Sequence, residues 1–426
     1  MDCSVQIHNN LKNLSDVCIV DESYLPACFF LSNYMETAFA DRAFSTRYTY
    51  AKTLLFIYRY FTDQSIDLVE RVESGKFLTA EEYDDFKRHC KYKVEADFEN
   101  DKSNVVSFER FSDKQLDNLI HASQSTESRA SAFTIKERLR LFFGYIEDLY
   151  NVFHFANNAD KSVRDDFADL ELKVKTDIRA LKDENTDVSD PFDQAIPDEV
   201  FFKILEIIKP ASPKNPWTQQ VRLRNQLIVD TFIEAGIREG ALAGLKISDI
   251  KHDHDKPRLL ITRTPNDPTD TRKIPAAQKT KAHSSAISHG TMKLLKLYIE
   301  TERSKYPKAK THDFIFVSEK GNTRGEPLKL GSINKIIDVL SHAVDFKLHP
   351  HLFRHKWNEI FEKRARKAGL TPEQIEDIRK YAMGWVEDSK MSGTYNSFMH
   401  AMLVHELSTQ RQNESLPAQG ESNGDN

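Results

Sequence analysis

Four separated pieces of the second half of the chain carry the residue types needed to break a phosphodiester without a metal, in the order Arg, Lys, His-x-x-Arg, Tyr. In Ala235-Gly236-Ile237-Arg238-Glu239-Gly240 a glycine ends one helix and an arginine sits in the short turn before the next. A guanidinium there can bind two non-bridging phosphate oxygens as a fork. In Gln278-Lys279-Thr280-Lys281 a lysine could protonate a departing 5′ oxygen, which helps a poor alkoxide leave. Position alone ranks Lys279 ahead of Lys281, and the latter is read as a DNA contact. In His351-Leu352-Phe353-Arg354-His355 a His and an Arg three residues apart at a helix start point to one side. Arg354 would complete the phosphate clamp, and His351 would hydrogen-bond the same phosphate or accept a proton. Met383-Gly384-Trp385 is followed, ten residues after the tryptophan, by Tyr395. A phenol with a pKa of about 10 is a weak nucleophile at neutral pH, so it needs neighbouring cations and a base. Tyr381 is the alternative phenol. Singly, each piece has a bland reading: a solvated turn, a surface lysine, a chance His-x-x-Arg, a core tyrosine. Their order together carries the chemistry.

The elements that must bring these pieces together are mostly helices. Pro197 at a first helical position, with Asp198 and Glu199 in the first turn, opens a helix carrying Phe201, Ile204, Leu205 and Ile208. A second helix runs from Thr218 to Ala235, and Gly236 stops it; a third covers Glu239 to Leu245. Arg258 to Arg263 and His283 to Ser288 read as strands around a Pro-, Asp- and Thr-rich excursion, Thr264 to Pro275, and Phe314 to Ser318 reads as another strand. Helical spacing resumes at Thr291 to Arg303, Leu330 to Val344 and Leu352 to Lys367. The capping box Thr371-Pro372-Glu373-Gln374 opens one more helix toward Ala382, and a last helix is expected from Met391 to Gln410. In the first half, Tyr48, Leu54, Leu55, Tyr58 and Phe61, and later Ile135 to Leu149, recur at helical spacing. Arg42 and Arg47, at the start of the first of these helices, are candidate DNA contacts.

A chain of 426 residues exceeds what one core of roughly 250 to 300 residues holds. The acidic, proline-containing stretch after Lys182 marks a boundary. The expected division is a helical N-terminal domain at 1–185, a linker at 186–196, a second domain at 197–412 and a disordered polar tail at 413–426. The fold class is mainly α with a small antiparallel β-sheet (α+β). Net charge is -5, which by itself argues against a nucleic-acid partner. The charge is segregated, however: residues 251–310 hold 14 Lys and Arg against 6 Asp and Glu, and 160–199 hold 6 against 13. No signal-like start and no apolar run near the roughly 20 residues of a membrane span is present, so a cytoplasmic protein without a membrane partner is expected. Cys3, Cys18, Cys28 and Cys90 lack metal or disulfide spacing and read as reduced thiols. No Walker-type loop or carboxylate cluster stands out, His252-Asp253-His254-Asp255 reads as a solvated turn, and neither cofactor nor metal is expected.

From Ile196 to about Gln410 the chain resembles the tyrosine recombinases, or phage integrase family of site-specific recombinases. The likeness rests on Gly-Ile-Arg-Glu-Gly followed by Leu245-Lys246-Ile247-Ser248-Asp249-Ile250, on Lys279, on His-Leu-Phe-Arg-His and on Gly-Trp with its downstream Tyr395; Asn215-Pro216-Trp217 and Arg222-x-Arg224-Asn225 look like the usual lead-in. The resemblance implies that Arg238 and Arg354 bind the scissile phosphate, Lys279 is the general acid, His351 assists proton transfer and Tyr395 is the nucleophile. Trp385 would donate its indole N–H to phosphate where many members carry a histidine, and His355 would support the site. It further implies an N-terminal core-binding helical domain that clamps double-stranded DNA with the catalytic domain. A homo-tetramer would form on paired sites, from a monomer or dimer off DNA, in DNA recombination or integration by a mobile genetic element. Met399, Met402, Leu403 and Leu407 would dock on a neighbour, or pack in cis.

The chain departs from the family pattern at Ala241, where members commonly carry an acid, and in a long Arg354-to-Tyr395 interval. Two alternatives therefore stand beside recombination: a type IB topoisomerase or hairpin telomere resolvase, and a DNA-binding regulatory protein with a degenerate catalytic fold.

Overall fold

A computed structural model describes residues 3–9, 15–92, 130–155, 160–181, 195–264, 267–387 and 389, with 401, 404, 407 and 408. Most of the expected linker, most of the last helix and the polar tail lie outside the described residues. The chain divides into two units, Met1–Asp187 and Val188–Asn426. Among the described residues each is mainly helical and carries one small antiparallel sheet, the fold class that composition and periodicity predict.

The first unit opens on a hairpin that the helical reading of this half overlooks. β1 (Ser4–Asn9) pairs with β2 (Ser15–Val20), with Ser4 opposite Val20 and Asn9 opposite Ser15. Val17 and Ile19 are buried while Asp16 and Cys18 are not, the alternation of a strand laid on a core by one face. Helices α1 (Phe29–Ala38), α2 (Phe44–Asp63), α3 (Leu68–Glu73), α4 (Ala80–His89), α5 (Ala132–Tyr150) and α6 (Lys161–Ala180) follow. Phe61, Phe86 and Phe142, from α2, α4 and α5, meet with ring centroids 4.8 to 5.6 Å apart. Each such ring, fully buried, stabilises the fold by about 1.5 to 3 kcal/mol. The hairpin corrects the expectation for Arg47: its guanidinium is buried and donates to the Asp16 carboxylate and the Ser15 carbonyl, so it braces β2 against α2. Arg42 remains exposed.

The second unit begins with α7 (Asp198–Ile207), which buries Phe201, Ile204 and Ile207. α8 (Arg222–Ala235) lies in the middle of this core, and Leu227, Ile228, Val229 and Phe232 are all closed to solvent. It ends at Gly236 in the left-handed conformation, φ 59°, and α9 (Glu239–Gly244) starts at once with Arg238 as its N-cap. The sheet has the order β3 (Ile250–Lys251), β4 (Arg258–Ile261), β5 (His283–Ala286), antiparallel throughout, with Leu259 opposite both Ile250 and Ser285. The Phe314 to Ser318 segment is not a strand of this sheet. It makes only the isolated bridges Lys246 to Phe314 and Val317 to Pro327, and its apolar run is buried among helices instead of in a ladder. Helices α10 (His289–Leu297), α11 (Leu330–Val344), α12 (Pro350–Lys367) and α13 (Pro372–Met383) follow. The expected Thr291 to Arg303 helix gives way to a π turn after Leu297.

α13 starts on the Thr371–Gln374 capping box and ends at Gly384, again left-handed at φ 62°. Buried Glu362 on α12 pairs with buried Arg379 on α13, which fixes the two helices side by side. No helix among the described residues is long and apolar enough to cross a membrane.

Candidate active site

Arg354 is the hub around which the separated pieces meet. It sits one turn into α12 and is 1% exposed. Its Nη1 donates to the Gly236 carbonyl at 2.7 Å, and its Nη2 donates to the Met383 carbonyl at 3.2 Å. Its Cζ lies 5.8 Å from the centre of the Trp385 ring. A single side chain thus ties the turn ahead of Arg238 to the turn that carries Trp385, and a planar fork of five N–H donors suits that task. Asn358, one helical turn on, donates to the Arg354 carbonyl at 2.8 Å and reaches the Met383 sulfur at 3.6 Å. Trp357 Nε1 donates to the Glu234 carbonyl at 2.9 Å, which secures the end of α8 just before Gly236.

The lysine loop reaches the same junction from the sheet. The Lys281 N–H donates to the Gly384 carbonyl at 2.8 Å, and the Lys281 carbonyl faces His283 Nδ1 at 3.0 Å. The Lys279 and Lys281 side chains are both exposed, and only the second has its backbone bonded to the Gly384 turn. Trp385 is buried, and its N–H closes α13 on the Lys380 carbonyl at 2.9 Å.

The charges of both arginines are felt by the same histidines. His351, at the surface at the start of α12, is driven down to about 4 by the protein atoms packed round it, then by His355 and the positive charges of Arg354 and Arg238. His283, on β5, is lowered by burial; its bond to the Lys281 carbonyl opposes this, and Arg354 and Arg238 lower it further. Two cations distant in sequence therefore act on the same two imidazoles. His355 is buried beneath His351, with the rings edge to face at 4.8 Å, and burial with His349 and Arg354 holds it down to about 4. At pH 7 both rings are neutral, and a neutral imidazole can accept a proton.

The site also shows where the chain departs from expectation. Ala241 is buried on α9 and supplies no acid. Glu239 is half-buried, and its carboxyl is raised by burial and lowered by a hydrogen bond from Asn334 on α11. Tyr381 is 68% exposed near the end of α13. Tyr395, and Met399, Met402 and Leu403 after it, lie outside the described residues. His283 is the residue of this cluster that spacing did not reveal. It follows the lysines by two positions, but a lone histidine at a strand start carries no signal of its own.

Residues 201–397 match the phage integrase family, a span that holds Arg238, the lysine loop, the His-x-x-Arg pair, Trp385 and Tyr395. The second unit thus carries a phage integrase family domain. Among known proteins the chain is 25% identical over 132 residues to transposase A from transposon Tn554 of Staphylococcus aureus, covering 31% of this chain and 34% of that protein. The match therefore spans about a third of that relative's length. Solved structures similar to the chain include the XerH site-specific recombinase bound to palindromic difH substrate, at 16% identity and a TM-score of 0.44, covering 72% of this chain and 74% of that one. The Tn1549 transposon integrase in complex with circular intermediate DNA is similar at 12% identity and a TM-score of 0.34, covering 72% of this chain and 97% of that one. Within the integrase-family unit, the Arg238 turn, the lysine loop, the start of α12 and the end of α13 are the elements that converge.

Proposed function

We propose that this chain is a site-specific DNA recombinase that cuts and rejoins strands through a covalent bond between Tyr395 and a 3′ phosphate. The observation that carries the reading is the junction at Arg354, where the turns bearing Arg238 and Trp385 are tied together with the strand that follows Lys281. A phosphate bound there would meet the guanidinium charges of Arg238 and Arg354, the second of them held in place by two main-chain carbonyls. The transition state at phosphorus carries more negative charge than the ground state, so preorganised donors stabilise it more.

In the cleavage step the Tyr395 oxygen attacks phosphorus, its proton passes to a base such as neutral His351, and the bond to the 5′ oxygen breaks as a lysine protonates that oxygen. Lys279 takes this role, with Lys281 beside it in the same loop as a DNA contact. The phosphotyrosine conserves the energy of the broken bond, so attack by a 5′ hydroxyl reverses the step without ATP, and the chemistry assigned to these residues calls for no metal. Double-stranded DNA is the partner. The first unit is a DNA-binding domain, and four copies act on two paired sites.

The test uses nicked duplexes with a randomised central sequence, in which cleavage releases a short strand and traps the protein. A protein–DNA species that survives denaturant and EDTA is expected. Binding with no covalent species would instead indicate a regulatory protein of the same fold. Plasmid relaxation without exchange between two captured sites would indicate a topoisomerase.

A further inference from the structure

The excursion between β4 and β5 contains an ion pair to which the catalytic reading assigns no task. Arg272 and Asp270 are both nearly closed to solvent. Arg272 grips the carboxylate through Nε on Oδ1 and Nη2 on Oδ2, both at 2.8 Å. Its Nη1 donates to the carbonyls of Ala243 at 2.8 Å and Leu328 at 2.9 Å, and its Cζ lies 4.7 Å from the centre of the Phe314 ring. The same carboxylate accepts the Arg272 N–H at 3.1 Å and the Ala276 N–H at 3.0 Å. A buried ion pair of this kind rarely improves on apolar packing in net stability, because desolvating two charges offsets their attraction. What it does supply is a fixed geometry.

That geometry lies next to the lysines. The Ala277 carbonyl rests directly on α9, and a Cβ at Gly240 would stand 2.0 Å from it. α9 is the helix whose N-cap is Arg238. At the far end the Lys281 N–H is bonded to Gly384. Gln278, Lys279 and Thr280 are therefore strung between two anchored points, one held by the Asp270–Arg272 pair and the other by the Gly384 turn. The outer part of the excursion is secured separately, by Lys246 on Asp267 at 2.6 Å.

We infer that the Asp270–Arg272 pair is a positioning device for the lysine loop, setting where the general-acid ammonium meets the departing 5′ oxygen. The inference rests on the phosphotyrosine reading above. It concerns one proton transfer: the phosphorus–oxygen bond breaks, and the lysine proton goes to the 5′ oxygen. A duplex with sulfur at that bridging position releases a thiolate, whose conjugate acid has a pKa of about 8.5, so it needs little protonation to leave.

The experiment compares single-turnover adduct formation on suicide duplexes, captured from the randomised pool by the wild-type protein, that carry either bridging oxygen or bridging sulfur. The variants are Arg272→Lys and the isosteric Asp270→Asn. The oxygen-to-sulfur rate ratio is expected to fall by about a hundredfold relative to wild type, the lower end of what general-acid catalysis contributes, while the sulfur substrate is cleaved within a few fold of the wild-type rate. Because the ratio is taken within each variant, loss of folded protein cancels from it. An unchanged ratio in both variants, whether the two rates fall together or not at all, would overturn the inference while leaving the recombinase reading intact. Failure of the wild-type protein to form an adduct on either duplex would overturn that reading and the inference with it.

Discussion

The main-chain N–H of Lys281 donates to the Gly384 carbonyl at 2.8 Å, which joins the strand after the lysine loop to the turn that ends α13. Gly384 is left-handed, at φ 62°, and an added Cβ would stand 2.4 Å from His283 Nδ1 and 2.6 Å from the Lys281 carbonyl. The lysine strand and Trp385 can lie this close only because the residue between them has no side chain.

Gly384→Ala should therefore lower stability by about 1 to 3 kcal/mol, the usual range for a strained backbone at a non-glycine residue. It should also slow DNA cleavage by at least about tenfold, because an error of about 1 Å at a reacting group is costly. Denaturant titration and single-turnover cleavage on the same preparation check both.

Arg354 should contribute to stability as well as to cleavage. In Arg354→Lys a single ammonium replaces a fork that bonds both Gly236 and Met383, so a loss of about 1 to 3 kcal/mol accompanies a fall in cleavage of two to three decades. Arg238→Lys should show a similar fall in cleavage. An unfolding midpoint of Arg354→Lys equal to that of the wild type would contradict the structural role of Arg354.

Acid should weaken the second unit through His351 and His355. Both are held down to about 4 in the folded chain against 6.5 in a free imidazole. The unfolded chain takes up protons first, so the stability contributed by the neutral rings is complete above pH 6.5 and is lost as pH falls toward 4. Glu319 works in the opposite sense: burial raises its carboxyl from 4.5 to about 7, and its contribution fades as pH rises through that interval. Comparing unfolding midpoints of wild type and His355→Gln from pH 7 to 4.5 isolates the imidazole, and the variant should show the shallower loss on acidification.

Arg47 and Arg42 should behave differently on DNA. Arg47→Ala leaves Asp16 without its ion-pair partner and should lower the melting temperature, with the salt dependence of DNA binding unchanged. Arg42→Ala should leave melting unchanged and reduce the slope of log affinity against log salt by about one unit. Binding isotherms at several salt concentrations, alongside melting curves, settle the assignment.

Much of the site can be read from residue order because its anchors are local. Gly236 and Gly384 stop helices, Thr371 and Gln374 start one, and Pro350 sets the first turn of α12 ahead of His351 and Arg354. These features act within a few residues, where sequence has direct influence. What spacing did not reveal depends on partners far along the chain. Arg47 looks like a surface cation until β2 places Asp16 beside it, and β2 itself is a short alternating run that helical periodicity obscures. The Phe314 to Ser318 run has the composition of a strand, yet each side of it packs on other elements and it joins no ladder. Arg272 and His283 carry no local signal, since their roles come from carbonyls and turns contributed by other segments.

The most direct measurement is the position of the covalent bond. Trypsin separates the two candidate phenols, cutting after Lys380, Lys390 and Arg411, so Tyr381 falls in peptide 381–390 and Tyr395 in peptide 391–411. Mass spectrometry of the trapped adduct, after nuclease trimming, should find the nucleotide on peptide 391–411, and Tyr395→Phe should bind the duplex and form no adduct. A nucleotide on peptide 381–390, or an adduct that persists in Tyr395→Phe, would contradict the mechanism.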